Sequence, residues 1–93
     1  SLTPVILNTE DNELENQLNV YPNPINDSFT VELATHQSNV SVKLYNVMGE
    51  LLLQRNIENH LLKIDISDLS TGIYLLEITD VKDNRVIKRL SKL

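Results

Sequence analysis

Histidines, carboxylates and hydroxyls are the groups from which this sequence could build a reactive or metal-holding site. It contains two histidines, His36 and His60, and no cysteine. Both histidines lie in polar stretches, and neither has a second histidine or a carboxylate at the spacing from which ligands converge on a metal ion. Without cysteine there is no thiolate ligand and no disulfide framework. Asp65, Asp68, Asp80 and Asp83 are acidic enough for calcium, but they lack the ligand spacing and central glycine of a calcium loop. Turn and capping duty accounts for them. No serine or threonine stands in a motif that supplies a base and an orienting partner. The residues therefore point away from an enzyme, and they call for no metal and no cofactor. The glycosylation triplets Asn26-Asp27-Ser28 and Asn39-Val40-Ser41 and the terminal Ser91-Lys92-Leu93, which matches a peroxisomal address, are too short to carry weight.

The chain that would position any site is 93 residues long with a net charge of −5. That length supports one domain with a modest core. The acidic balance argues against binding a phosphate backbone, so no nucleic-acid partner is expected. No apolar run is long enough to span a membrane, and no membrane insertion is expected. No signal peptide is visible at Ser1, so the chain is expected to be either cytosolic or a piece cut from a longer one, and the abrupt start favours a piece.

Residues 1–17 read as a flexible linker from a preceding region, because Thr9 to Gln17 is polar, acidic and without sustained periodicity. A helix over residues 10–18 would have an apolar stripe one leucine wide, which argues against it. From residue 18 onward the pattern changes to short alternating segments. Leu18 and Val20 make a first short strand. Phe29, Val31 and Leu33 share one face of a second, and Val42 and Leu44 one face of a third. Asn46 to Gly49 closes a hairpin, with Gly49 suited to a positive φ. Glu50 to Ile57, Leu61 to Ile66, Ile73 to Ile78 and Arg85 to Lys92 follow, separated by turn residues at Asn59-His60, Asp68 to Gly72 and Asp80 to Asn84. These segments, with turns about every 8–12 residues, predict an all-β, seven-stranded antiparallel immunoglobulin-like β-sandwich over residues 18–93. Its inward set should include Val20, Phe29, Val31, Val42, Leu44, Leu53, Ile64, Ile66, Leu69, Tyr74, Leu76 and Ile78.

The segment Ile64 to Ile78 organises the rest. It reads strand, corner, strand, with Leu69 alone among polar residues as a plug for the core. Tyr74 stands just past Gly72, where a tyrosine corner would bond its hydroxyl back to backbone near Ser67 to Ser70. Two further stretches could present a fixed surface. Pro22 and Pro24 restrict the backbone of Tyr21-Pro22-Asn23-Pro24. Arg85, Lys88, Arg89 and Lys92 supply four of the chain's eight cations in the last strand. The four either guard an edge strand against aggregation or form a recognition surface, and Lys88 and Arg89 are expected to be mostly exposed.

Three features in order resemble a known family: Val20-Tyr21-Pro22-Asn23-Pro24 at the opening, Val42-Lys43-Leu44-Tyr45-Asn46-Val47-Met48-Gly49-Glu50 in the middle, and Ile64 to Tyr74 ahead of a basic terminal strand. The set is similar to the type A C-terminal sorting domain of the type IX secretion system of certain Gram-negative bacteria, over about residues 18–93. The resemblance implies a preceding cargo domain, transit through the periplasm, and recognition by the outer-membrane translocon and its shuttle proteins. It further implies removal of the domain by a sortase-like cysteine peptidase, leaving the cargo at the cell surface or secreted. The sorting candidates on this reading are Tyr21, Pro22, Asn23, Pro24, Gly49, Gly72, Tyr74, Lys88, Arg89 and Lys92. The alternative is a structural or carbohydrate-binding immunoglobulin-like module of a secreted protein, for which Tyr21, Tyr45 and Tyr74 are poorly placed.

Overall fold

The computed structural model describes residues 13–35 and 39–93. Residues 1–12 of the expected linker, and His36, lie outside the described residues. A short helix α1 (Glu13–Gln17) leads into seven strands: β1 (Leu18–Tyr21), β2 (Ser28–Leu33), β3 (Val40–Asn46), β4 (Leu51–Ile57), β5 (Leu61–Asp65), β6 (Gly72–Thr79) and β7 (Arg85–Lys92). They form two antiparallel sheets, one of order β1-β2-β5 and one of order β4-β3-β6-β7. This is the expected seven-stranded sandwich.

Alternation in the sequence becomes alternation of burial. Phe29, Val31 and Leu33 of β2 are buried, and so are Val40, Val42 and Leu44 of β3 and Tyr74, Leu76 and Ile78 of β6. Successive side chains of a strand point to opposite faces, so each sheet turns one apolar face inward, while the outward face of the larger sheet mixes polar residues with Ile73, Leu75 and Ile87. β3 and β6 pair in the middle of the larger sheet, Val42 opposite Ile78 and Leu44 opposite Leu76. The expected inward set is buried except Val20, Leu53 and Leu69, which are partly exposed and pack against the core from its margin. Leu69 is thus a stopper at the rim of the core rather than a fully enclosed plug.

Two hairpin loops share one design. In the β3–β4 loop, Asn46 N–H donates to the Glu50 carbonyl at 3.1 Å and Gly49 N–H to the Asn46 carbonyl at 3.0 Å. In the β6–β7 loop, Asp80 N–H donates to the Asn84 carbonyl at 3.0 Å and Asp83 N–H to the Asp80 carbonyl at 3.1 Å. Each is a three-residue connection closed by a residue with positive φ, Gly49 at 88° and Asp83 at 67°. The expectation for Gly49 holds, and Asp83 fills the equivalent place because a short polar side chain tolerates the left-handed region.

The Ile64 to Tyr74 corner is also built as read. Ser67 N–H donates to Asp65 Oδ1 at 2.8 Å, Leu69 N–H to the Ile66 carbonyl at 3.0 Å, and Tyr74 Oη–H to the Ser70 carbonyl at 2.5 Å. Tyr74 is buried, so its ring fills core while its hydroxyl fixes the corner.

Two readings need correction. A helix does form within residues 10–18, at Glu13–Gln17, and its Leu14 is buried to 1% exposure in the core. The stripe is one leucine wide, but α1 packs against β7 and needs only that one anchor. The cations of β7 are not one exposed group either. Strand parity puts Lys88 and Lys92 on the inward face with Val86 and Leu90, and Arg85 and Arg89 on the outward face. Lys92 is 8% exposed, its stem covering the end of the core, and Lys88 is half-buried.

Candidate functional site

The Tyr21-Pro22-Asn23-Pro24 corner leaves β1 of the smaller sheet and runs along the outer edge of β7 in the larger one. Both X–Pro bonds, Tyr21–Pro22 and Asn23–Pro24, are cis. Beyond them the chain docks on the last strand. Asn23 Nδ2 donates to the Arg89 carbonyl at 3.3 Å, and Ser91 N–H donates to Asn23 Oδ1 at 3.1 Å. Ile25 then pairs through its backbone, its N–H donating to the Ser91 carbonyl at 2.7 Å and its carbonyl accepting from Leu93 N–H at 2.8 Å. This is a parallel bridge between Ile25 and Lys92. A side-chain amide and a backbone peptide thus act in succession as the partners of one strand edge. Ile25 is fully buried, which anchors the arrangement in the core.

An edge strand needs guarding where its peptide groups are open. From the Arg89 carbonyl to the Leu93 amide those groups are already engaged by Asn23 and Ile25. Arg89 thus stands where the covered stretch of the edge begins, outward and exposed. Tyr21, Pro22, Asn23 and Pro24 are exposed beside it.

Strand register gathers other candidates at the same end of the molecule. Asn46, Tyr74 and Leu90 lie opposite one another across β3, β6 and β7, and Gly72 lies opposite Lys92. The Gly49 loop, the Gly72–Tyr74 corner and the end of β7 are therefore neighbours at one end of the larger sheet. The Asp80–Asn84 loop is at the other end. Gly72 has φ of 151°, and no atom lies within 4 Å of where a Cβ would stand, so its need for glycine is conformational. Of the predicted residues, Lys88 stands apart, turned toward Glu15 of α1 with Nζ 3.9 Å from its carboxylate.

The remaining polar groups serve the fold. Asp80 Oδ1 accepts from Lys82 N–H and Asn84 N–H, both at 2.9 Å, and its Oδ2 accepts from Asn84 Nδ2 at 3.0 Å. Asp65 accepts hydrogen bonds from Ser67, and the Ser67 backbone amide, with its hydroxyl second, holds the Asp65 carboxyl below the usual carboxylate range. Tyr45 Oη–H donates to Glu77 Oε1 at 3.1 Å, and Arg85 reaches Glu77 Oε2 at 3.2 Å. Loss of hydration, and then the Glu77 carboxylate, push the Tyr45 phenol above its ordinary pKa. Among the described residues no three histidines or carboxylates are placed to hold a metal ion.

Residues 19–92 match the family of the secretion system C-terminal sorting domain. The chain belongs to that family. The sorting domain is 32% identical over 78 residues to the endo-acting ulvan lyase of Formosa agariphila, and 32% identical over 74 residues to the β-agarase D of Zobellia galactanivorans. These matches cover 83% and 80% of the sorting domain. It spans only 15% and 14% of the two enzymes, so the resemblance is to a small part of each. Among solved structures, PorZ of Porphyromonas gingivalis, described as an essential surface component of its type-IX secretion system, superposes with a TM-score of 0.69 at 21% identity, over 87% of the sorting domain and 12% of PorZ. A DUF3244 family protein of Bacteroides vulgatus with an immunoglobulin-like β-sandwich superposes with a TM-score of 0.72 at 17% identity, over 85% of the sorting domain and 88% of that chain. At those identities the two likenesses establish the immunoglobulin-like sandwich of the sorting domain.

The sequence reading named the Tyr21–Pro24 corner and the last strand as separate candidates. What it missed is that Asn23 joins them. Asparagine between two prolines is a usable signal, since its side chain can pair with a peptide group where the flanking prolines have no N–H to offer.

Proposed function

We propose that this sorting domain is the address that takes a preceding cargo domain out of the cell by the type IX system. The observation that carries this reading is the family match over residues 19–92, nearly the whole described body. The cargo passes through the periplasm, and the outer-membrane translocon and its shuttle proteins read the folded domain. They do so at the end where the Tyr21–Pro24 corner, the Gly49 loop, the Gly72–Tyr74 corner and the close of β7 meet. Recognition of a folded surface fits the bonding, because Asn23 and Ile25 hold the corner and the strand in one fixed arrangement and little ordering remains to be done on binding.

The domain itself performs no chemistry on this reading. A sortase-like cysteine peptidase at the surface removes it, and the cargo stays at the surface or is released. A peptidase needs an extended segment in its cleft. Leu14 anchors α1 in the core, so a cut ahead of Glu13 leaves the described body whole, and that is where the cut is placed on this reading. A carbohydrate-binding role finds less support. Tyr74 is buried, Tyr45 is tied to Glu77 and Phe29 is in the core, which among the described residues leaves Tyr21 as the one exposed tyrosine or phenylalanine ring.

The test is the fate of a secreted passenger placed ahead of the chain in a bacterium with a working type IX system. The passenger is expected outside the cell, ending before Glu13. Retention in the periplasm contradicts the sorting role, and a mature C-terminus inside residues 13–93 contradicts the position of the cut.

A further inference from the structure

The β3–β4 loop displays apolar side chains in solvent on a tightly bonded frame. Val47 is 67% and Met48 81% exposed, and next to them Leu51 and Leu52 of β4 are 51% and 37% exposed. β4 is the outer strand of its sheet, and Leu52 is the extra residue where the β3–β4 register shifts, since Leu44 faces Leu53 and Tyr45 faces Leu51. The frame is built on Asn46. Its Oδ1 accepts from Met48 N–H at 2.9 Å and Glu50 N–H at 3.0 Å, and its Nδ2 donates to Glu50 Oε1 at 2.6 Å. Backbone bonds from Asn46 N–H and Gly49 N–H complete it.

The β6–β7 loop shows that the apolar choices at Met48 and Leu51 are not demands of the loop. Asp80 plays the part of Asn46 there, with the same pattern of side-chain and backbone bonds. Position by position, Val81 matches Val47 and is equally exposed at 66%. Lys82 stands where Met48 stands, and Arg85 where Leu51 stands. The same frame at the far end of the sheet thus carries two cations where the near end carries two apolar side chains. Water is the natural environment of the cations, whereas a rigid apolar tip in water loses nothing on entering an apolar site and has little entropy left to lose.

We propose that the Val47–Met48 tip, with Leu51 and Leu52 as its shoulder, inserts into an apolar socket of a protein partner. This deepens the sorting reading and rests on it, because the tip stands at the end of the sheet where Asn46, Tyr74 and Leu90 lie in register with the close of β7. The four side chains expose on the order of 400 Å², about half of what each side of a stable flat interface buries, so a socket fits them and a second copy of this chain does not. A lipid surface is disfavoured by charge: residues 46–54 carry Glu50 and no lysine or arginine, and an acidic tip is repelled by anionic headgroups.

The experiment is export of a passenger fused ahead of the chain, with thermal melts of the same variants. Met48→Lys with Leu51→Arg copies the far loop. It is expected to melt within about 2 °C of the wild type, as exposed substitutions do, and to reduce export by about tenfold, as loss of an anchoring side chain does. Val81→Lys, equally exposed at the far end, should export normally. Normal export of the double variant overturns the proposal. If the double variant melts early, Met48→Gln alone decides, with reduced export supporting the socket and normal export overturning it. Failure of the wild-type fusion to leave the cell overturns the sorting reading, and this inference falls with it. Flotation of the chain with phosphatidylethanolamine–phosphatidylglycerol vesicles, abolished by Met48→Lys, would assign the tip to lipid and overturn the socket. A dimer in sedimentation that the same substitution dissolves would overturn it in favour of self-association.

Discussion

The side-chain amide of Asn23 grips the backbone around Ser91, accepting from its N–H at 3.1 Å and donating to the carbonyl of Arg89 at 3.3 Å. Residues near the two ends of the domain are thereby locked into one surface. Replacing Asn23 with alanine removes both bonds while leaving the prolines in place. The expected cost is about 1–2 kcal/mol, since both groups are near water and regain part of their hydration. Denaturant unfolding measures it, and hydrogen exchange at the Ser91 amide should rise in parallel. Unchanged exchange at Ser91 would show that Asn23 does not hold the strand.

Tyr74→Phe removes the hydroxyl that bonds the Ser70 carbonyl and keeps the buried ring. A loss of roughly 1 kcal/mol or more is expected in equilibrium unfolding, as for other part-buried hydrogen bonds. No loss would mean that the corner is held by ring packing alone.

Leu14→Ala probes where the folded unit begins. Leu14 is fully buried, so truncation should cost about 2–4 kcal/mol, the range for a leucine removed from a core. A cost under about 0.5 kcal/mol, typical of a surface change, would move the start of the unit to β1.

The fold was legible wherever burial follows from local pattern. Strict alternation in Ser28–Leu33 and Val40–Asn46 marks half-buried strands, and Gly49 and Tyr74 carry chemistry that few other residues can supply at a positive φ or a bonded corner. What escaped depends on contacts between distant segments. A single leucine says nothing of α1 until β7 is there to receive it. Asn23 is an ordinary turn residue until the edge of β7 lies beside it. The division of the β7 cations was available, because parity alone pairs Lys88 and Lys92 with Val86 and Leu90. Treating the four cations as one patch passed over the period of the strand.

Asp65 provides a pH test of the corner. Its carboxyl titrates below the usual range because Ser67 donates to it. A lowered folded pKa stabilises the fold above the unfolded value, about 3.9 for aspartate, and that contribution is lost as pH falls through the lowered value. Asp65→Asn keeps an acceptor for Ser67 but not the charge. The difference in melting temperature between wild type and Asp65→Asn should be largest at neutral pH and shrink in acid. A difference that stays constant with pH would show that the charge does not contribute.

On the proposed reading, the joined corner and last strand are recognised as a folded surface. Arg89 is the residue to change, because it faces outward on β7 beside Asn23, is exposed, and bonds Asn23 only through its backbone carbonyl. Lys88 and Lys92 face inward, and reversing their charge would confuse recognition with stability. The decisive measurement is cell fractionation of a passenger fused ahead of the chain carrying Arg89→Glu, together with its thermal melt. The expected result is a melting temperature within about 2 °C of the wild type and accumulation of the passenger in the periplasm. Full delivery of the passenger outside the cell by the folded Arg89→Glu domain would contradict it.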